Sequence, residues 1–487
     1  MQDKSLKADL IDQKQGYLLK PETQKDFIGI AQSGKRQWIY PRKPKGKYTF
    51  SRNLVAYTLL LFYFTFPFIK INGNPLLLFD IINRKFFLLG EPFYPHDFFI
   101  LTLGAIISLI SMIVFTVVFG RIFCGWICPQ TIFLESIFRK IEYAIEGDRK
   151  KQMELDHERW TFEKIWKKSL KWTVFMMISL AITHFLLMYI VGYHEVLKIV
   201  WEGPLAHTSY FIAMIFSTVG FYFVFAWFRE QICTLVCPYG ILQSVLIDKE
   251  TLNVFYDFKR GENRSKWRKG EDRNEAAKGD CIDCHQCVAV CPTGIDIRNG
   301  QQLECIHCSA CIDACDEVMD KAGLPRGLIR YTSENEIITQ QQAKLSTKKK
   351  SLVFTLIALQ TFLGFLLYNQ TDIEAKFVKQ SGSTFFVRDG RITNTYNYTF
   401  LNKSDAKKIV TIKILKPKNG EILSSGSSKI SVDRGKIIKG TINISFPKKD
   451  IHFFKQNISI GVFDLDGNLI DSYETYFEGP FKLLKLS

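Results

Sequence analysis

The chain has 487 residues, 47% of them hydrophobic, and a formal net charge of +16 at neutral pH. Its length allows about three domains, and its apolar and basic residues fall into separate stretches, which favours membrane spans over one soluble core. Because basic loops on one side of a membrane account for the charge, we expect no nucleic-acid partner.

Five stretches nearly free of charge match the roughly 20 residues that cross a bilayer: 54–69, 98–119, 172–192, 208–228 and 352–368. The Lys and Arg counts of the segments between them, up to Lys350, alternate as 12, 3, 11, 1 and 18. Cytoplasmic loops retain positive charge. The counts therefore predict a multi-pass protein of the bacterial inner membrane with a cytoplasmic N-terminus and a periplasmic C-terminal region. The first 52 residues are polar and basic, so the first span is expected to act as an uncleaved anchor.

Two Cys-x-x-x-Cys-Pro pairs follow the second and fourth spans: Cys124/Cys128 and Cys233/Cys237. Both preceding spans run from outside to inside, so both pairs reach the cytoplasmic membrane surface. Cysteines four apart on a helix lie on one side of it, and the two copies together could bring four thiols around one point. Arg121 and Arg229 lie nearby, and positive charge lowers the pKa of a thiol. The alternative is simple packing, since free cysteine is a small buried hydrophobe.

The other eight cysteines form two Cys-x-x-Cys-x-x-Cys-x-x-x-Cys runs: Cys281/Cys284/Cys287/Cys291 and Cys305/Cys308/Cys311/Cys315. In two-cluster ferredoxins the fourth cysteine of each run ligates the other cluster. The predicted ligand sets of two four-iron clusters are therefore crossed: Cys281, Cys284, Cys287 and Cys315 for one, and Cys305, Cys308, Cys311 and Cys291 for the other. A zinc site or disulfides are the alternatives. We interpret His285 and His307 as non-ligands, because each set of four is complete without them.

His184 lies inside the third span, where an ionisable side chain is a functional candidate. No other span contains a histidine, so a bis-histidine haem lacks its second ligand, and a quinone or proton contact or an interhelical hydrogen bond is favoured. His96, His194 and His207 fall in outer loops. They are candidates for transient copper binding, although interfacial polar residues are the favoured interpretation.

Residues after 368 change to short alternating stretches: 408–414, 429–432 and 457–462, with a turn signal at 466–468. A period of two between turn signals predicts β-strands, and a region of this length suits an immunoglobulin-like β-sandwich. We expect this domain to dock a partner outside the membrane.

The predicted fold is thus a multi-domain membrane protein with about five transmembrane α-helices, an inserted α+β two-cluster ferredoxin domain of the bacterial type and a C-terminal immunoglobulin-like β-sandwich. The predicted domains are an N-terminal cytoplasmic segment (1–52), a four-helix membrane domain (53–247), a cytoplasmic linker and ferredoxin domain (248–350), a fifth helix (351–368) and a periplasmic domain (369–487).

These residues resemble the CcoG family of cytochrome c oxidase accessory proteins, also called FixG or RdxA. The resemblance rests on 123–131, 229–239, 281–298, 304–321 and 325–331. It implies a cupric reductase that supplies Cu(I) for assembly of cbb3-type cytochrome c oxidase. Copper would be the substrate or a transient ligand at Cys124, Cys128, Cys233 and Cys237, because thiolates are soft ligands that prefer Cu(I). The eight other cysteines would carry electrons to it.

The implied partners are a cytoplasmic electron donor, oxidase subunits or copper chaperones of oxidase assembly, and the lipid bilayer, with a homodimer as one compatible assembly. One alternative function is a quinol dehydrogenase subunit resembling NapH of nitrate respiration, which passes electrons between quinone and a partner reductase. The exported β domain argues against it. A third hypothesis is a non-enzymatic copper chaperone whose clusters are structural.

Overall fold

The computed structural model describes residues 38–480, apart from 72, 82–84, 94–97, 269–270, 274, 342–345, 369–372, 381, 383–384, 403, 405, 424–428, 434–435 and 452. Most of the predicted N-terminal segment, and His96, therefore lie outside the described residues. The chain forms two compact units. One holds the described residues up to Phe68 together with Leu101–Phe362, and the other holds the described parts of Ile69–Ile100 and of the chain from Leu363 onward.

Four of the described helices are long and apolar enough to cross a membrane: Phe99–Phe119, Phe162–Val191, Thr208–Phe228 and Thr347–Tyr368. Each overlaps one of the predicted spans. Phe162–Val191 begins earlier than predicted because Thr161 caps it, with its side-chain oxygen accepting the backbone N–H of Lys164 at 3.3 Å.

The predicted first span falls on helix Lys47–Thr65, which begins in a basic stretch and is therefore more polar than the four helices above. It lies along helix Phe162–Val191. The hydroxyl of Tyr63 donates to the carbonyl of Ile182 at 2.9 Å, and the hydroxyl of Tyr189 donates to the carbonyl of Tyr63 at 2.8 Å. The apolar half of this helix thus packs within the helical bundle.

Aromatic packing fills the centre of the bundle. Phe138 is fully buried, with its ring edge-on to Phe175 at 4.8 Å and stacked on Phe225 at 4.7 Å between centroids. Such aromatic pairs contribute about 0.5–1.5 kcal/mol each beyond their buried area. Three segments distant in sequence are fixed to one another in this way.

Shorter helices carry the Cys-x-x-x-Cys-Pro pairs. The first pair is followed by a helical segment whose middle turn, Leu134–Phe138, is π-helical, and the second pair begins in another π-helical turn, Ile232–Val236. π-Helical turns often mark functional sites. The other short helices of this region are Ile122–Trp126, Pro129–Phe133, Arg139–Ile145, Arg149–His157, Tyr193–Glu202 and Pro238–Leu246.

Residues 253–332, called the ferredoxin module below, form an α+β unit as predicted. Its terminal strands, Asn253–Tyr256 and Ile329–Thr332, pair antiparallel with Asn253 opposite Thr332. Its helices are Phe258–Gly261, Gln286–Ala289, the 3₁₀ turn Ile297–Asn299 and Ala310–Ala322, and helix Glu334–Thr339 follows. The buried core of the module includes cysteines of both runs.

The C-terminal region is a β-sandwich of two antiparallel sheets, which confirms the predicted immunoglobulin-like type. One sheet has the order Glu421–Leu423, Ile437–Pro447, Arg391–Asn402 and Ile373–Lys379, with Phe386–Arg388 also paired to Arg391–Asn402; the other has the order Lys429–Val432, Lys408–Lys416, Lys455–Phe463 and Leu469–Glu478. Alternate residues of these strands fill a core that includes Phe377, Phe400, Phe446 and Phe477. The turn predicted at 466–468 contains Gly467 at φ 83°, which glycine adopts without strain.

In the described part of the chain between helices Lys47–Thr65 and Phe98–Phe119 there are five short strands: Lys70–Ile71, Asn74–Pro75, Leu77–Asp80, Lys85–Leu88 and Glu91–Phe93. The first two pair with each other, and the last three form an antiparallel sheet in chain order. These strands were not predicted, because a segment between two spans is expected only as an outer loop.

A buried ion pair connects the two Cys-x-x-x-Cys-Pro regions. Both carboxylate oxygens of Glu142 accept from the guanidinium of Arg229, at 2.9 and 2.7 Å. Burial alone would raise the pKa of Glu142, but Arg229 and Lys171 lower it to about 2. Arg229 has φ 52°, an uncommon conformation for a residue with a Cβ, so the bidentate pair holds the chain in a strained turn just before the second thiol pair.

We predict that Glu142→Gln destabilises the protein by about 3–5 kcal/mol, because a neutral amide removes the bidentate carboxylate from the buried charge of Arg229 and leaves only Glu230, at 3.9 Å. Thermal unfolding in detergent, followed by tryptophan fluorescence, measures this effect. The pKa of Glu142 is depressed, so its contribution is fully present above about pH 4.5 and is lost as the pH falls toward 2.

The matched control is Glu154→Gln. Its partner Lys150 is 3.9 Å away, and both side chains are largely exposed, so the change should be no more than about 0.5 kcal/mol. Equal losses in the two variants would contradict the role assigned to the Glu142–Arg229 pair.

Candidate iron-sulfur and thiol sites

Two cavities in the ferredoxin module are lined by cysteines. One, called site I, is lined by Cys281, Cys284, Cys287 and Cys315. The other, called site II, is lined by Cys291, Cys305, Cys308 and Cys311. In each cavity the fourth cysteine of one run joins the first three of the other, which are the sets named by the crossed prediction. Cys287 also lines site II, so the two cavities adjoin.

The backbone around the second cysteine of each run has the same unusual conformation. Asp283 and His285, on either side of Cys284, have φ 52° and 56°. The equivalent residues around Cys308, His307 and Ser309, have φ 52° and 64°. Left-handed conformations of residues with a Cβ are strained and persist where a functional site requires them. The repeated pattern indicates that both loops are shaped for the same kind of ligand.

The cysteines of these cavities fit a four-iron cluster better than a single ion. Among the described residues, no three His, Cys, Asp or Glu side chains are close enough together to hold one metal ion. A four-iron cluster is larger and is held by cysteine thiolates set further apart. Burial raises the pKa of Cys287 to about 12 and that of Cys308 to about 11, so these thiols release protons when iron binds. When bound, such a cluster takes up or gives up one electron.

The two sites differ in their access to solvent. Cys284 of site I is exposed, whereas Cys305 and Cys308 of site II are buried. Site I therefore reaches the protein surface, and site II faces inward.

Site II lies directly against the first Cys-x-x-x-Cys-Pro region. A Cβ on Gly125 would lie 2.4 Å from the carbonyl oxygen of Ile306 and 3.0 Å from the Cα of Cys308. Only glycine permits this approach of the two backbones. The carbonyl of Cys308 also accepts from the guanidinium of Arg52 at 3.3 Å, which ties the loop to the first helix of the bundle.

His307 joins the same contact. Its Nδ1 accepts the backbone N–H of Arg121 at 3.0 Å, and its carbonyl accepts from the indole of Trp126 at 3.3 Å. Burial, with Arg121, lowers the pKa of His307 to about 3, which keeps its ring neutral. His285 is instead exposed beside Arg298, at 2.8 Å. His307 thus connects the cluster loop to the membrane region.

The two cysteines of each Cys-x-x-x-Cys-Pro pair do not share one helix. Cys124 lies in the short helix Ile122–Trp126, and Cys128 caps the next helix, which begins at Pro129. Cys233 and Cys237 repeat this arrangement, with Pro238 at the start of helix Pro238–Leu246. Proline lacks an N–H and is favoured at the first helical position. The expectation that each pair occupies one helix face is therefore wrong, because the proline starts a new helix.

The structure nevertheless brings the two pairs together. The Cys124 thiol donates to Oε1 of Gln243 at 3.3 Å, and the guanidinium of Arg121 donates to the carbonyl of Gly240 at 2.7 Å. Both acceptors lie in the helix that follows Cys237. We call Cys124, Cys128, Cys233 and Cys237 the four-thiol group.

The charges around the four-thiol group differ from expectation. Burial raises the pKa of Cys124 to about 11, even though the positive charge of Arg121 opposes the rise. Burial, together with the neighbouring thiols, raises the pKa of Cys233 to about 12. Arg229 pairs with Glu142 rather than with a thiol. In the metal-free protein Cys124 and Cys233 are thus protonated at neutral pH, and a metal must displace their protons.

The membrane histidines have local partners. Nδ1 of His184 is 2.9 Å from the carbonyl of Leu180 in its own helix. Nε2 of His207 is 2.5 Å from Glu202, and the ring of His194 lies 3.9 Å from that of Tyr193. Among the described residues, none of these histidines belongs to a group of three or more His, Cys, Asp or Glu side chains that could hold a metal ion.

Family models match three parts of the chain. Residues 228–334 match a 4Fe-4S dicluster domain, residues 101–149 match a 4Fe-4S binding domain, and residues 363–480 match the immunoglobulin-like fold at the C-terminus of FixG. The 101–149 match contains Cys124 and Cys128.

RdxA of Cereibacter sphaeroides is 36% identical over 387 residues, which are 75% of this chain and 80% of RdxA. The chain belongs to the FixG/RdxA family. RdxB of the same organism is 33% identical over 410 residues, or 81% of this chain and 84% of RdxB. The nitrogen fixation protein FixG of Rhizobium meliloti is 36% identical over 307 residues, or 61% of this chain and 58% of FixG. With its 4Fe-4S domains and apolar helices, this member of the FixG/RdxA family is a membrane iron-sulfur electron-transfer protein.

Several residues of this region were not singled out from the sequence. Gly125 follows Cys124 directly, and a glycine inside a cysteine motif is a signal of close backbone approach. Glu142 carried no signal, because its partner Arg229 is 87 residues away along the chain. The left-handed residues beside Cys284 and Cys308 are not glycines and gave no sequence signal at all.

We predict that Gly125→Ala loosens the contact between the ferredoxin module and the membrane helices. The new methyl group overpacks against Ile306 and Cys308, which should destabilise the contact by about 1–3 kcal/mol. Hydrogen exchange of the peptide spanning residues 303–311 should accelerate while the iron content stays unchanged.

Gly220→Ala is the control, because nothing lies within 4 Å of a Cβ at this helical glycine. It should leave hydrogen exchange unchanged and stabilise its helix slightly, by up to about 1 kcal/mol. The same exchange in both variants would show that Gly125 does not maintain the contact.

Proposed function

We propose that this protein is a cupric reductase that delivers Cu(I) for the assembly of cbb3-type cytochrome c oxidase. In this proposal electrons enter the ferredoxin module and leave through the four-thiol group, where Cu(II) accepts one electron and becomes Cu(I). The observation that carries the proposal is the contact of site II with Gly125, because it puts the buried cluster site next to the first thiol pair.

The order of the sites supports a one-way path. Site I opens to the surface through Cys284, site II adjoins it through Cys287, and Cys124 packs in the same hydrophobic cluster as Cys308. At each step the electron passes between groups that are neighbours in the structure. A one-electron reduction of Cu(II) matches clusters that transfer single electrons.

The four-thiol group has the chemistry that Cu(I) prefers. Soft thiolates bind Cu(I) more favourably than Cu(II), so a cysteine pair biases a bound ion toward the reduced state. No three of these thiols converge on one point among the described side chains, but Cu(I) accepts two sulfur ligands, and each half of the group offers two. Protons released by Cys124 and Cys233 would accompany binding.

The proposed setting is the bacterial inner membrane, with the ferredoxin module cytoplasmic and the β-sandwich periplasmic. The alternation of Lys and Arg between the spans supports this orientation. The proposed partners are a cytoplasmic electron donor, and oxidase subunits or copper chaperones that receive the Cu(I). A homodimer is compatible with this arrangement.

The test measures Cu(I) formation with a Cu(I)-specific chelator, using anaerobic, purified protein whose clusters are first reduced with dithionite and then separated from the excess reductant before Cu(II) is added. Cys124→Ser/Cys233→Ser should reduce the rate to that of the mixture without protein, because the soft ligands are lost. Thr234→Ser, which changes the neighbour of Cys233, is the control and should keep the native rate. Unchanged activity in the double variant would reject the four-thiol group as the copper site.

Iron analysis of the same samples separates copper binding from a further cluster. Two four-iron clusters correspond to about eight irons per chain, leaving the four-thiol group free for copper. About twelve irons per chain, with loss of four in the double variant, would mean that the four-thiol group holds a third cluster. That result would contradict the copper assignment.

A second candidate function, quinol oxidation, is favoured by a cavity of about 370 Å³ that is lined by the aromatic side chains of Trp38, Tyr40 and Trp172 and by charged side chains of both signs, among them Glu146 and Lys168. This volume lies in the range of small-molecule sites. Ile39 also lines the cavity, and its side chain lies 3.3 Å from where a Cβ of Gly294 would be, close in sequence to Cys291. Cluster reduction by a water-soluble quinol, lost in Trp172→Ala, would support this candidate. Failure of the quinol to reduce the clusters would exclude it.

A further inference from the structure

A basic surface concavity surrounds the exposed cysteine of site I. Arg42, Arg149 and Lys150 line it together with Cys284 and Gln286. Cys284 is the one exposed cysteine among the twelve of the chain. The place where an electron can reach site I from solvent is thus bordered by three cations.

These cations come from different segments that are fixed to the cluster loop. The guanidinium of Arg42 donates to Oε1 of Gln286 at 2.7 Å, and its backbone N–H donates to the carbonyl of Ala289 at 2.7 Å. The N–H of Lys43 donates to the carboxylate of Asp148 at 2.9 Å, next to Arg149. Arg42 is therefore fixed beside Cys284, and the chain that carries Arg149 and Lys150 is fixed to the segment that carries Arg42.

The nearby carboxylates are already engaged within the protein. Asp148 accepts the backbone N–H of Lys43, and Asp283 accepts from Arg298 at 2.6 Å. Glu154 lies 3.9 Å from Lys150, but both side chains are largely exposed, so this pair is weak. Glu317, which Arg42 also influences, is paired with Lys321. The lining itself carries three cations and one carboxylate, Asp148, so its net charge is positive.

We propose that this concavity is the docking surface for a small acidic protein that carries a one-electron centre. The inference deepens the proposed function by naming the class of the electron donor. The carrier loses one electron, and the cluster held at site I gains it. No proton or other group is transferred.

Two physical arguments favour such a carrier. A nicotinamide donor delivers an electron pair as hydride, whereas each cluster site accepts one electron, so the direct donor must itself be a one-electron centre. A surface of one charge sign steers a partner of the opposite sign and raises its association rate by about 10- to 1000-fold, an effect that salt weakens. Acidic charge on the carrier matches the three cations around Cys284.

The test uses full-length protein with loaded clusters, in nanodiscs of neutral phosphatidylcholine under anaerobic conditions. Stopped-flow absorbance measures the second-order rate constant for cluster reduction by a reduced, acidic [2Fe-2S] ferredoxin. Arg149→Glu/Lys150→Glu should lower this constant at least about tenfold at low salt and flatten its dependence on ionic strength. Neither residue is a cluster ligand, so dithionite should reduce the clusters of the variant completely.

The control is Lys448→Glu/Lys449→Glu, an adjacent exposed pair in the β-sandwich with the same change of charge. It should leave the rate constant and its salt dependence unchanged. Equal rates in the two variants would overturn the proposal. So would an effect that appears only in nanodiscs with anionic phosphatidylglycerol, because it would assign the cations to the lipid surface. Since the readout ends at the clusters, failure here and failure of copper reduction with dithionite are distinguishable.

Discussion

The approach of Gly125 to the backbone of Ile306 and Cys308 is the constraint on which the arrangement of the redox groups depends. It leaves no space for a side chain between a membrane-surface helix and a loop of the ferredoxin module. The hydrogen bond from the N–H of Arg121 to His307 fixes the same two segments. Without this contact the cysteines would keep their arrangement within each motif, but site II and the four-thiol group would no longer be neighbours.

A second level of organisation aligns the two halves of the four-thiol group. The bidentate pair of Arg229 with Glu142 joins the helix after the first thiol pair to the turn before the second. Burying an ion pair gains little in net stability, so its value here is geometric. It fixes a strained turn, and hydrogen bonds to Gln243 and Gly240 complete the alignment. Polar contacts thus determine the positions of the thiols, while the stacked phenylalanine rings pack the centre of the helical bundle.

The features that sequence predicted well are those written in short-range patterns. Apolar runs gave the long helices, alternation gave strands such as Lys408–Lys416, and cysteine spacing named the residues that line sites I and II. Features that depend on distant partners were out of reach. Gly125 and Cys308 are in contact although they are far apart in the sequence. Each Cys-x-x-x-Cys-Pro pair is divided between two helices because its proline begins the second one. The exposure of Cys284 relative to Cys308, which orders the two sites, follows only from the tertiary fold.

The left-handed residues beside Cys284 and Cys308 couple the folding of their loops to the binding of a ligand. Four residues with side chains are held in a conformation that an unliganded loop has little reason to keep. A bound cluster at each site would offset this strain, so folding of the two loops would be coupled to cluster binding. In a chain that lacks its clusters, these two loops would therefore be free to relax and would open locally more often.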